Sequence, residues 1–195
     1  MENNVREESG LKFQFPENET VIKFDDTKFY RDYFIKLPNA KGVDFISVDK
    51  YKIAFIEVKN CIGDEGNCRW RIAPNNQKRN KTHTSVNVEG RDSLDIEMAQ
   101  KTAMTIAALI GAKSFGDTKE CLCELREYIQ FLSKDAFSDN SKKKYVILFL
   151  EGDFGGKTRS KKMIMKALQD SINKKLKWIN CRVSVVDSDT YNTKL

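Results

Sequence analysis

The 195-residue chain contains a single histidine, His83. Histidine-based nucleases and hydrolases hold that ring against a positioned partner. No partner is evident near His83, which lies in an irregular stretch and reads as a loop surface residue. Long apolar runs are missing too: none approaches the ~18 residues of a membrane span, so no membrane association is expected. The start, MENNVREESG, is acidic and polar, without a basic segment leading into an apolar one, so no signal peptide is expected. Cys61, Cys68, Cys121, Cys123 and Cys181 are odd in number and lack zinc-ligand spacing. Reduced thiols in a cytoplasmic protein are the expectation. There is no internal repeat and no low-complexity tract.

What is present suits one globular domain with a single core. Hydrophobic residues make up 40% of the chain and charged residues 32%, which leaves enough apolar side chains for one core at this length. The formal net charge of +6 tilts toward an anionic partner, although net charge also serves solubility. Residues 1–20 read as a flexible, solvated N-terminal segment, and residues 21–195 as the domain. Phe29, Tyr30, Tyr33 and Phe34 recur at helical spacing, predicting a helix over 27–37 that Pro38 ends. Helices are predicted over 93–112, 118–133 and 157–178, the second with Asp117 and Glu120 in a capping-box pattern. Strands are predicted at 145–150 and 181–186. Residues 63–92 are the least regular, with short strands expected at 68–72 and 84–89. The order predicts a mixed α/β domain, its sheet lying between helical layers.

The stretch GVDFISVDKYKIAFIEVKN carries the chemistry. It reads as two apolar strands joined by a polar turn. Side chains alternate along a strand, so Glu57 and Lys59 share one face. An even loop centred between Lys50 and Tyr51 pairs residues whose numbers sum to 101, which sets Asp44 opposite Glu57. Like charges held at cross-strand distance repel, and a divalent cation converts that repulsion into a binding site. Magnesium takes one or two carboxylates plus waters and substrate phosphate. A lysine beside it can hold the attacking water or offset charge on a phosphate. The competing reading makes Asp44 a local backbone cap and gives Glu57 and Lys59 to a solvated edge strand. The apolar run Ile53-Ala54-Phe55-Ile56 points instead to a strand covered on both faces.

Asp, twelve intervening residues and Glu-Val-Lys resemble the motif of the PD-(D/E)XK superfamily of restriction-endonuclease-like nucleases. The motif spans about 20 residues, and the order of elements extends the likeness to residues 25–190. Val43 stands where the family pattern has proline, a departure that leaves the subgroup open. The resemblance implies a restriction-endonuclease-like mixed central sheet flanked by helices, and Mg-dependent hydrolysis of nucleic acid, with DNA as the expected substrate. Magnesium is the implied cofactor, with manganese as its substitute. Asp44 and Glu57 would bind the metal, the backbone carbonyl of Val58 would be a further ligand, and Lys59 would position the water. Cutting both strands would suit a homodimer. A nuclease-fold binding or assembly module without turnover is the alternative.

Other candidates surround this core. Glu97, Lys101 and Thr105 form a polar stripe at i, i+4 and i+8, from which Lys101 or Gln100 could reach a phosphate; a surface ion pair is the competing reading. Arg69, Trp70 and Arg71, followed by Lys78, Arg79 and Lys81, interleave basic groups with an aromatic ring, as nucleic-acid contacts do, or belong to a solvated loop. Asp25, Asp26 and Asp32 suit capping, or an additional metal ligand by the family likeness. The lysines at 161, 162, 166, 174, 175 and 177 read as the solvated face of an amphipathic helix. Gly152 to Thr158 imitates a phosphate-binding loop but is one residue short between its glycines, with Glu151 at the required position.

Overall fold

The computed structural model describes residues 4–75, 92–116, 119–133, 141–156 and 158–191. Five strands form one mixed sheet in the order β3 (Thr20–Lys23), β4 (Phe45–Val48), β5 (Lys52–Asn60), β6 (Lys143–Glu151) and β7 (Arg182–Val186). The pairs β3–β4 and β4–β5 are antiparallel, while β5–β6 and β6–β7 are parallel. The parallel half needs crossovers, and these carry α3 (Leu94–Lys113), α4 (Arg126–Ser133) and α5 (Lys161–Lys175). Strand β5 is central and buried over nearly all its length, as its apolar run predicts.

The turn between β4 and β5 sets the register that the site depends on. Asp49 Oδ1 accepts from the backbone N–H of Tyr51 at 2.6 Å and of Lys52 at 2.8 Å. This local turn is what a short aspartate side chain does best. It leaves Phe45 opposite Ile56 and Val48 opposite Ile53, so paired residue numbers sum to 101 as the sequence predicts.

The two faces of the sheet are covered differently. Ile46, Val48, Ile53, Phe55, Val146, Leu148 and Val185 face the helical side, where they pack with residues of α1 (Lys28–Asp32), α3, α4 and α5. Phe45, Ala54, Ile56, Val58, Ile147 and Phe149 face the other side. That side is covered by a hairpin of β1 (Val5–Glu8) and β2 (Leu11–Gln14), together with Tyr191 of α6 (Ser188–Tyr191). Phe13 stacks edge-on against Phe149, with ring centroids 4.9 Å apart.

Several expectations are corrected. Within the N-terminal segment expected to be flexible, residues 5–14 form the hairpin, because Phe13 and Phe15 find an apolar sheet face to cover. The sheet therefore has its main helical layer on one side only. The helix expected over 27–37 is one short turn, α1, between 3-10 turns at Phe24–Asp26 and Phe34–Lys36. Phe24, Tyr30 and Phe34 pack on one another there, and this aromatic cluster outweighs helical continuity. Residues 65–68 form a helical turn, α2 (Glu65–Cys68), where a strand beginning at Cys68 was expected. Glu120–Leu125 is 3-10 helix, and α4 begins only at Arg126. The helix expected from Lys157 starts at Lys161, with the Ser160 side chain accepting from Met163 N–H as its cap. Asp117 of the capping-box pattern and the expected strand 84–89 lie outside the described residues.

Candidate active site

Strand alternation brings the acidic pair and the lysine to the helical face. Glu57 and Lys59 follow Ile53 and Phe55 on β5, and Asp44 precedes Ile46 and Val48 on β4. Asp44 lies one residue before the β4 ladder begins, and its carboxylate takes over the ladder's role: Val58 N–H donates to Asp44 Oδ2 at 2.7 Å. A strand residue directs its N–H and C=O to the same side. The Val58 carbonyl therefore points toward Asp44, past the start of β4.

Helix α3 crosses above, and its polar stripe meets this pair. Lys101 Nζ donates to Glu57 Oε1 at 2.6 Å and lies 3.7 Å from Asp44 Oδ1. Lys59 Nζ contacts the same Glu57 oxygen at 2.7 Å and Glu97 Oε1 at 3.3 Å. Thr105 Oγ1 accepts from Val43 N–H at 3.1 Å, fixing the backbone just before Asp44. All three stripe residues thus face the β4–β5 pair, and the surface ion pair between Glu97 and Lys101 is not what they form.

Burial governs the electrostatics. Glu57 is only 1% exposed, and its Oε2 has no hydrogen-bond partner among the described residues. Burial raises its carboxyl above the ordinary range, against the opposing pull of Lys59 and Lys101. Asp44 is raised for the same reason, despite Lys101 and the Val58 N–H. Lys59 is raised too, but by its partners rather than by burial: burial would lower it, and Glu57 and Glu97 outweigh that and hold its ammonium charged above the usual lysine range. Glu97 falls below the ordinary range because Lys59, Arg71 and Lys101 overcome its burial.

The buried Glu57 carboxylate, the half-buried Asp44 carboxylate and a backbone carbonyl on the β4 side of β5 form an all-oxygen donor set that suits magnesium. The unpartnered Glu57 oxygen is what an incoming cation would satisfy. Among the described residues no cluster of three or more His, Cys, Asp or Glu side chains is placed to hold a metal, so backbone and water would complete the shell. Asp25, on the 3-10 turn Phe24–Asp26, has one buried carboxylate oxygen without a partner among the described residues, and burial raises this group also.

The basic candidates divide. Arg69 is exposed, on a cleft of about 250 Å³ that Ile72, Phe154, Thr158 and Arg159 also line. Arg71 is buried and its guanidinium is engaged by Glu97, so it joins the charge network beneath the surface. Lys78, Arg79, Lys81 and His83 lie outside the described residues. Gln100 accepts from Lys41 Nζ at 3.1 Å on the surface. Of the lysines on and after α5, Lys161, Lys166 and Lys175 are each in an ion pair, with Asp187, Asp170 and Asp95. The glycine loop after β6 is packed rather than open. Phe154 is buried, and a Cβ at Gly152 would stand 2.9 Å from its ring. Lys157 lies outside the described residues.

The network's extent was only partly visible in sequence. Glu97 was legible as part of the stripe, but nothing marked it as the partner of both Lys59 and Arg71. No helix among the described residues is long and apolar enough to cross a membrane.

Residues 27–195, which include the whole network, match the model of a family of unknown function, DUF6661. The chain belongs to that family. No curated protein and no solved structure matches it.

Proposed function

We propose that this member of DUF6661 is a metal-dependent nuclease with a restriction-endonuclease-like fold, hydrolysing phosphodiester bonds in nucleic acid, with DNA as the substrate. The observation that carries the reading is the buried Glu57 opposite Asp44. One of its oxygens has no partner among the described residues, and Lys59 stands on the same strand face. The mixed sheet with its antiparallel β4–β5 pair, followed by α3 and the parallel β6, supports the fold assignment.

Asp44, Glu57 and the Val58 carbonyl would hold magnesium or manganese. A divalent ion bound there supplies Lewis-acid polarisation of a phosphoryl oxygen and acidifies a bound water. Lys59, whose ammonium contacts Glu57, would orient a water by hydrogen bonding and offset charge that builds on the phosphate. Glu97 holds the Lys59 ammonium from the helix side, which keeps it beside Glu57.

The test is cleavage of plasmid, single-stranded DNA and RNA with Mg2+, Mn2+ or EDTA. Wild type should cut only with metal. Lys59→Ala and Glu57→Ala should each slow cutting by at least about a hundredfold, as loss of a preorganised charge contact does. Equal cutting by all three proteins would refute the site. A second reading, a nuclease-fold module without turnover, is favoured by one observation: lysines already neutralise the carboxylates. Nucleic-acid binding without cutting would select it.

A further inference from the structure

Three carboxylates and three cations make up the network: Asp44, Glu57 and Glu97 against Lys59, Lys101 and Arg71. The network is balanced before any metal arrives. Adding a divalent cation to it would create excess positive charge in a buried place, which is costly unless one cation leaves.

The contacts identify which cation is free to leave. Lys59 is anchored on two sides, by Glu57 and Glu97, and its strand is locked between β4 and β6. Arg71 is held by Glu97 beneath α3. Lys101 alone lies between the two proposed metal ligands, with its ammonium reaching both carboxylates. Its ion pairs among the described residues are to those two groups, and neither is a helix residue that would hold it in place as Glu97 holds Lys59. Lysine is a compact charge on a flexible stem, which lets it swing without backbone movement.

Resting on the nuclease reading, we propose that Lys101 is the resident counter-ion of the Asp44–Glu57 pair. Metal binding displaces its ammonium, which then turns outward to meet the phosphate of the nucleic-acid strand. Lys101 thus restrains metal binding in the free protein, and an anionic strand that receives the ammonium favours metal loading. By reciprocity the metal favours the strand.

The test is Mn2+ binding to the intact chain without nucleic acid, followed by the paramagnetic resonance signal of free Mn2+. The proteins are wild type, Lys101→Met, Lys101→Gln, Lys101→Arg and Glu57→Gln. The Met and Gln variants should bind Mn2+ about tenfold more tightly than wild type, a typical size for coupling between sites. The Arg variant, which keeps the charge, should bind no more tightly. The Met and Gln variants should also melt lower in EDTA and gain more from Mn2+ than wild type does. If both bind no better than wild type while Glu57→Gln abolishes binding, the metal site stands and the counter-ion role falls. If Glu57→Gln binds Mn2+ as wild type does, the nuclease reading falls and the counter-ion role with it.

Discussion

Replacing Glu97 by glutamine tests whether the network under α3 holds the site together. The Glu97 side chain is 13% exposed and engages Lys59 at 3.3 Å together with the Arg71 guanidinium, itself 10% exposed. Removing one partner of a buried pair costs about 3–5 kcal/mol, because the other charge is stranded. Lys59 keeps Glu57 at 2.7 Å, so Arg71 carries most of the loss. The lower figure applies, about 3 kcal/mol. For a chain of this length each kcal/mol lowers the melting midpoint by about 2–4 °C, so a fall of roughly 6–12 °C is expected. Urea unfolding followed by circular dichroism measures the free energy directly. Arg71→Met in the same chain should restore at least half the loss, since the stranded charge is gone. A Glu97→Gln protein within about 1 kcal/mol of wild type would refute the idea that this pair is buried and coupled.

Two further predictions follow from the same geometry. Thr105→Val should cost about 1–3 kcal/mol in urea unfolding, because it leaves the buried Val43 N–H without an acceptor; an unchanged midpoint would mean that this contact does not fix the backbone before Asp44. The second concerns pH. Asp44 and Glu57 are raised by burial, so the folded chain binds protons more readily than the unfolded one in that window. Their ionisation costs stability as pH rises from the ordinary carboxylate range through their raised values. Metal affinity runs the opposite way and should be gained over the same window, above the ordinary range near 4–4.5. Lys59, raised in the fold, contributes stability that is fully present below the ordinary lysine pKa and lost only as pH rises further. Mn2+ titrations across the acid range would disprove this if affinity fell only below pH ~4.

The antiparallel pair was legible because its information is local. A two-residue side-chain period and an aspartate-closed turn suffice to set one strand against the next, so the facing of Asp44 and Glu57 follows from counting. The N-terminal hairpin was not legible. Its VREE and LKFQ strands hold few apolar residues, and only the far sheet face gives Phe13 and Phe15 a reason to order. The aromatic residues at 29–34 follow a helical period, but the packing of Tyr30 and Phe34 on Phe24 broke the helix into turns.

The sequence by itself determined the alternation on β5, the register of β4 and the polar stripe on α3, since each is a property of neighbouring residues along one element. Tertiary structure alone decided that the stripe covers the acidic pair, that Lys101 sits between the carboxylates, and that Arg71 is held by Glu97. The reason is physical: Lys101 and Glu57 are 44 positions apart, and only packing against the sheet brings them to 2.6 Å.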